Sequence, residues 1–240
     1  MAAPGNVQPT GFVRRSFVYR KLAESGANFA AVNGAAVAVD FGDPQGEAVL
    51  AGRLGLADLS PLPRAGFKGT GTAEWLAEQG VVVPEASNRA VRQEGGALAA
   101  RLAPAEVVIL GDLSGAGGLP ERLTASWAAE PQASTTPRGY PVPRVDTHAW
   151  FLVTGEHSPA MFARICGVDL RPDRFPPGAI AQTSVARTNA VIVRDDQGRT
   201  TAYHLLADSA AAGYLWDCLL DAMAEFDGAP VGLSALRALA

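Results

Sequence analysis

A pattern that occurs twice constrains this chain more than any other feature. FKGTGTAEWL, from Phe67, and FLVTGEHSPAMF, from Phe151, superpose on their Thr-Gly pairs, Thr70-Gly71 and Thr154-Gly155, which lie 84 residues apart. Each runs from a short apolar strand through a Thr-Gly turn into an amphipathic helix. Each then continues into an antiparallel strand pair and a closing helix. The first pair is 97–102 with 106–110 around Ala103-Pro104, and its helix is 120–129. The second pair is 182–193 with 201–206, hinged at Asp195-Asp196-Gln197-Gly198. Its helix is 209–226, with Tyr214, Leu215, Cys218, Leu219 and Ala222 spaced along one apolar face. Strands that come in hairpins, not singly between helices, argue against a parallel sheet and predict an α+β fold of two related lobes of antiparallel strands with helices.

Around this repeat the sequence divides into a flexible lead-in at 1–12, a first lobe at 13–130, a proline-rich connection at 131–146 and a second lobe at 147–240, together forming one compact domain. In the first lobe, 16–27 has short helical character and 35–41 reads as a buried strand. Asp43 and Pro44 start a helix that Gly55 ends, and 56–60 is extended again. Thr72 is the expected N-cap of the helix through Trp75 and Leu76, which Gly80 closes. In the second lobe, 149–153 is a strand and 158–166 a helix with Pro159 in its first turn.

Of 240 residues, 48% are hydrophobic and 18% charged, which supplies a core and excludes disorder as the main state. Balancing 20 Lys+Arg against 24 Asp+Glu leaves a formal charge of −4, so neither nucleic acid nor a membrane surface is an expected partner. No run approaches the ~18 apolar residues of a membrane span, and the first charges follow a polar stretch instead of preceding an apolar one. A cytoplasmic location is the expectation. Cys166 and Cys218 have neither metal-ligand nor disulfide-framework spacing and read as small buried hydrophobes in helical surroundings.

Local motifs supply little chemistry. Gly69-Thr70-Gly71 lacks the third glycine of a dinucleotide loop, because position 74 is Glu74, and reads as a tight strand-to-helix turn. His148, His157 and His204 have no metal-site spacing, so no metal is expected. Ser60, Ser114 and Ser158 sit in turn or capping contexts without a nucleophile elbow. Asp195 and Asp196 point to opposite faces of a hairpin whose Gln197-Gly198 marks a solvated turn. Arg187 stands out, because the interior of an apolar strand buries arginine only with a paired anion, from the protein, an interface or a ligand.

Beyond these residues, the order of pieces resembles a known family. LGLADLSPLPRAGFKGTGTAEWL (54–76) is similar to the aminomethyltransferase, or glycine-cleavage T-protein, superfamily. DLSPLPR (58–64), the Val-Pro-x-x-x-Asn-Arg-Ala stretch at 83–90, Ala-Arg-Thr at 186–188, YHLLADSAAAGYLWDCLLDAMAEF (203–226) and PVGLSALRAL (230–239) resemble its branch of gamma subunits of heterotetrameric sarcosine oxidase. The likeness runs from about residue 14 to the end and rests on the order of these motifs.

That resemblance implies a folate-binding-domain-like fold of two lobes without the C-terminal β-barrel of full-length T-proteins. It also implies where a folate site would lie: at Asn88, matching the family's Asn-Asp pair, and at Arg187, matching its Arg-Thr segment. Here Asn88 is followed by Arg89, which cannot accept a proton at neutral pH, and the nearest acid is Glu85. Arg187-Thr188 continues into Asn189-Ala190-Val191, without the glutamate that would hold the pterin. The resemblance therefore implies no catalytic residues in this chain and a vestigial cofactor site at Asn88 and Arg187. It implies an accessory role beside alpha, beta and delta subunits, with FAD, FMN, NAD and tetrahydrofolate belonging to the complex and not to this chain alone. The alternatives are a stand-alone tetrahydrofolate-dependent aminomethyltransferase using Glu85 or Asp58, or a subunit of a related N-methyl amino acid dehydrogenase.

Overall fold

Asp43 accepts a hydrogen bond from the Gly46 amide, Pro44 fills the first turn, and the chain turns extended at Gly55, so a helix forms over 44–54 as its capping residues dictate. The computed structural model describes residues 6–115, 117–129 and 136–239. Its strands are β1 (Arg14–Arg15), β2 (Asn28–Val32), β3 (Ala35–Asp40), β4 (Gly55–Asp58), β5 (Arg64–Lys68), β6 (Arg89–Arg92), β7 (Leu98–Ala103), β8 (Glu106–Leu110), β9 (Tyr140–Val142), β10 (His148–Thr154), β11 (Ile180–Val185), β12 (Thr188–Arg194), β13 (Ala202–Asp208) and β14 (Ala229–Pro230). Its helices are α1 (Tyr19–Glu24), α2 (Pro44–Leu54), α3 (Thr72–Glu78), α4 (Leu119–Ala129), α5 (Ser158–Phe162), α6 (Ala212–Met223) and α7 (Leu233–Leu239).

Two large sheets carry the duplication, one ordered β6-β7-β8-β5-β9 and the other β11-β12-β13-β10-β4-β14. In each, a lead strand (β5, β10) passes through its Thr-Gly turn and a helix (α3, α5). A three-strand antiparallel meander then returns to pair with the lead strand, and a closing helix follows (α4, α6). A third sheet, β1-β3-β2, stands apart, and among the described residues none of the three closes into a barrel.

The strand on the other side of each lead strand is exchanged. β4 precedes β5 in the chain but pairs antiparallel with β10, while β9 precedes β10 but pairs antiparallel with β5. Sequence position therefore does not divide the chain at its lobes: β4 lies within 13–130 and β9 within 131–146, and each completes the sheet of the opposite half. Of the proline-rich stretch, 131–135 lies outside the described residues. Pro141 sits in β9 at a sheet edge, where a missing backbone donor costs nothing.

The Thr-Gly turns recur because of this exchange. Gly71 (φ +83°) and Gly155 (φ +106°) are both in conformations that disfavour side chains. A Cβ on Gly71 would lie 1.8 Å from the Pro137 carbonyl oxygen, and one on Gly155 would lie 2.3 Å from the Arg53 carbonyl. Arg53 and Pro137 are themselves 84 residues apart and lead into β4 and β9. Each exchanged strand thus enters by crossing the glycine of the other half's turn.

The central strands of the two large sheets are buried on both faces, which is why they read as continuous apolar runs. Ala65, Phe67, Ala99, Val107 and Ile109 face Trp75, Leu76 and Leu123 of α3 and α4. Their neighbours Leu98, Ala100, Leu102, Val108 and Leu110 meet Trp150, Leu152, Val193 and Leu206 of the other sheet, with Leu233 and Leu236 of α7. Beyond that sheet, Phe151, Val153, Ile192 and Leu205 pack on Leu215, Trp216 and Leu219 of α6, with Phe151 and Trp216 edge-on at 5.4 Å. The result is four layers, helix–sheet–sheet–helix.

Several local expectations change. Residues 182–193 form not one strand but the end of β11 and most of β12, joined by a two-residue turn at Ala186-Arg187, both at positive φ (47° and 64°). The N-cap of α3 is Gly71; the Thr72 hydroxyl instead donates to the Gly69 carbonyl at 2.7 Å. The buried face of α6 is Leu215, Trp216, Leu219, Ala222 and Met223, while Tyr214 is exposed and Cys218, half-buried, packs at the margin of that face. Cys166 is buried but lies past the end of α5, bridged to Val185.

Candidate functional site

Where two similar lobes meet, a ligand site is expected between them, so the seam is the place to examine. Its floor is set by DLSPLPR. Ser60 Oγ donates to Asp58 Oδ1 (2.6 Å) and accepts from the Trp150 amide (3.0 Å), tying the end of β4 to β10. Burial pushes the Asp58 carboxyl above the usual carboxylate range, against the hydrogen bonds and the Arg64 charge that favour its anion. Arg64 is buried and directs its guanidinium at backbone carbonyls: Ser60 (2.8 Å), Arg144 (2.9 Å), Val145 (2.8 Å) and His148. Burial lowers its pKa to about 10, which leaves it protonated at neutrality. Its charge is thus consumed in fastening β5 to the segment that enters β10.

Around Arg64, Arg144 donates to Glu106, which also pairs with Lys68 at 2.9 Å, and contacts His148 Nε2 at 3.2 Å. Burial and the two guanidiniums hold His148 below its ordinary pKa. The cavity enclosed by Arg64, Leu102, Val108, Arg144, His148 and Val191 measures about 10 Å³, room for one water at most. Above it, a broad depression of about 490 Å³ opens to solvent over His148, Gln182, Asn189 and Asp208.

A second buried chain, not foreseen from the sequence, extends from the seam. Trp150 Nε1 donates to His204 Nδ1 (3.0 Å), and His204 Nε2 lies 3.3 Å from Asp195 Oδ2, which pairs with Arg92 at 2.7 Å. With Nδ1 facing the indole donor, Nε2 is the ring nitrogen that donates to Asp195. Burial works to raise the Asp195 pKa, but His204 and Arg92 outweigh it and hold the carboxyl below the usual range. The expected solvated turn is therefore a partly buried polar network, with Asp196 bound to Arg194 (2.8 Å) and Gln197 buried. The signal for it was a histidine inside the apolar run of β13, which demands a partner.

The two residues proposed for a vestigial folate site are not brought together. Asn88 (φ +58°) sits where the two large sheets meet: its carbonyl accepts from the Ile180 amide, and its side-chain oxygen accepts from Gln182 Nε2 at 2.8 Å. Arg187 is not in a strand interior; it is exposed at the tip of the β11–β12 hairpin, beside Tyr214 and Cys218. It lies beyond Gln182 by three strand residues and the first residue of the turn. Glu85 is exposed, outside the seam. Asn88 therefore bonds at the start of β11, and Arg187 follows its end. Among the described residues there is no cluster of three or more metal-ligating side chains, and no helix is long and apolar enough to cross a membrane.

No known protein-family profile and no curated protein matches this sequence. Solved structures do. A chain of heterotetrameric sarcosine oxidase from Corynebacterium sp. U-96, solved in complex with pyrrole 2-carboxylate, superposes with a TM-score of 0.59 at 18% identity, covering 78% of this chain and 93% of that one. Glycine cleavage system aminomethyltransferase T from Bartonella henselae superposes with a TM-score of 0.70 at 14% identity, covering 95% of this chain. This chain spans 62% of that aminomethyltransferase's length. At these identities the likeness establishes a shared fold, the aminomethyltransferase-like α+β arrangement.

Proposed function

We propose that this chain is an accessory, gamma-type subunit of a heterotetrameric sarcosine oxidase, cytoplasmic and assembled with alpha, beta and delta subunits. In this reading the complex demethylates sarcosine oxidatively to glycine and passes the one-carbon unit to tetrahydrofolate. FAD, FMN, NAD and tetrahydrofolate are held by the companion chains, and this one contributes structure and assembly.

The observation that carries the reading is the filled seam. A stand-alone folate enzyme needs an enclosed pocket and a free carboxylate. Here the enclosed space holds about one water, Arg64 is spent on carbonyls, and Glu106 is shared by Arg144 and Lys68. Near-complete coverage of one chain of a heterotetrameric enzyme supports the same reading.

Calorimetry of the isolated chain with tetrahydrofolate, together with co-expression beside the alpha, beta and delta chains of a heterotetrameric sarcosine oxidase, tests this. The expected result is no submillimolar folate binding and co-purification with the flavoproteins. A stable monomer that ignores those chains and binds tetrahydrofolate, with binding lost in Arg187→Ala, would overturn it in favour of the stand-alone aminomethyltransferase.

A further inference from the structure

The stretch that passes from the third sheet into α1 presents side chains that nothing in the described chain covers. From Val13 the chain runs through β1, turns at Phe17-Val18 and enters α1 at Tyr19. Ser16 and Val18 are buried, whereas Val13 is fully exposed, Phe17 is 40% exposed, and Arg15 stands outward between them. The Arg15 guanidinium lies 5.1 Å from the centroid of the Tyr19 ring and that of Arg20 5.4 Å from the same centroid. Their hydrogen bonds go to the Phe12 carbonyl and the Tyr19 hydroxyl. Among the described residues neither arginine has a carboxylate partner, while Lys21 next to them is paired with Asp217. β1 is also an edge strand, bonded only to β3.

Arginine, tyrosine and phenylalanine are the side chains that dominate protein interfaces, and a guanidinium already ordered over a ring loses little freedom when it takes a carboxylate. Two free cations on a chain of net charge −4 complement an acidic protein surface. They are too few to track a phosphate backbone. We propose that the face formed by Val13, Arg15, Phe17, Tyr19 and Arg20 docks an acidic, partly apolar segment of another polypeptide. The two arginines take carboxylates beside Tyr19, while Val13 and Phe17 receive an apolar side chain. The partner's identity as a companion subunit rests on the reading above; the acidic-polypeptide chemistry of the face does not.

The test compares the wild-type chain with the double variant Arg15→Glu/Arg20→Glu and with a charge-matched control, Arg174→Glu/Arg199→Glu, all checked for native unfolding. In one arm each is titrated with a fluorescent copolymer of glutamate and tyrosine, with duplex DNA, and with vesicles of anionic phospholipid. In the other each is co-expressed with the alpha, beta and delta chains of a heterotetrameric sarcosine oxidase, the flavoproteins of the reading above. The expected result is that the double reversal weakens copolymer binding about tenfold or more and releases the flavoproteins, while the control does neither. Copolymer binding equal in the double variant and the control overturns the proposal, as does preference for DNA or vesicles. Flavoproteins retained equally by both variants overturn the companion-subunit docking while leaving the accessory role intact. If the wild type captures no flavoprotein, the accessory role fails, and the copolymer arm alone upholds or overturns the face.

Discussion

Replacing Gly155 with alanine tests whether the exchange of strands is what the Thr-Gly turns are for. At φ +106° an alanine is held in a backbone region costing about 1–3 kcal/mol. Its Cβ would also lie 2.3 Å from the carbonyl carbon and oxygen of Arg53, backbone atoms that cannot swing aside. Relief requires the lead-in to β4 to retreat by about 1 Å, the distance to ordinary van der Waals contact. That displacement breaks the bonds from the Glu156 amide to the Gly52 carbonyl (3.1 Å) and from the His157 amide to the Arg53 carbonyl (3.0 Å), each worth about 1 kcal/mol. Together the cost is about 3–5 kcal/mol, or about 10 °C in melting temperature for a chain of this size. Gly80→Ala supplies the reference: its φ is +81°, but nothing lies within 4 Å of the added Cβ, so about 1 kcal/mol is expected. Urea unfolding followed by tryptophan fluorescence measures both, and Gly71→Ala, facing Pro137, is expected to match Gly155→Ala. If Gly155→Ala costs no more than Gly80→Ala, the crossing does not constrain the turn and the reasoning is wrong.

Arg64→Met strands several buried carbonyls at the joint between β5 and β10 and is expected to cost about 3 kcal/mol, with Arg64→Lys intermediate; a methionine variant as stable as wild type by urea unfolding would show that the guanidinium is not the fastener. Because the Asp195 carboxyl is held low in the folded state, its contribution is complete above the ordinary carboxylate pKa of 3.8 and is lost as pH falls through the lower folded value. Melting temperatures across this acid range are expected to fall more steeply for wild type than for Asp195→Asn, and parallel curves would refute the assignment. Arg187→Gly removes a non-glycine residue from positive φ on an exposed turn and is expected to gain about 0.5–1 kcal/mol, read as a higher urea midpoint; a loss would mean that the side chain makes a contact that stabilises the fold.

The duplicated halves were legible because the Thr-Gly pair, its strand and its helix are contiguous, and the capping residues Asp43 and Gly55 act within a few positions. The two-residue turn at 186–187 was not, since alanine and arginine carry none of the Asn or Gly chemistry by which a positive-φ turn announces itself. β6, with Arg89 and Arg92 at its ends, was too short and polar to register, and Pro141 disguised β9. One further signal was present: Gly55 and Gly139, at the entries to β4 and β9, also stand 84 residues apart, and a Cβ on either would meet a threonine hydroxyl, of Thr154 or Thr72. Of the candidate site, DLSPLPR stood out only for its resemblance to the family, and nothing in it announced that it lines the seam. That the seam is closed could not be read locally, because it depends on side chains contributed by strands of both sheets.

The exchange of β4 and β9 sets the order in which this polypeptide can mature. A nascent chain that has emerged as far as α4 holds the whole first meander, yet β4 has no partner until β10, which begins 90 residues after β4 ends, and β5 keeps an open edge until β9 arrives. Neither half can be a finished intermediate. Folding is expected to wait for nearly the whole chain and to proceed as one slow, high-contact-order event. A gene cut between its two halves would yield two fragments, each carrying the other's missing strand.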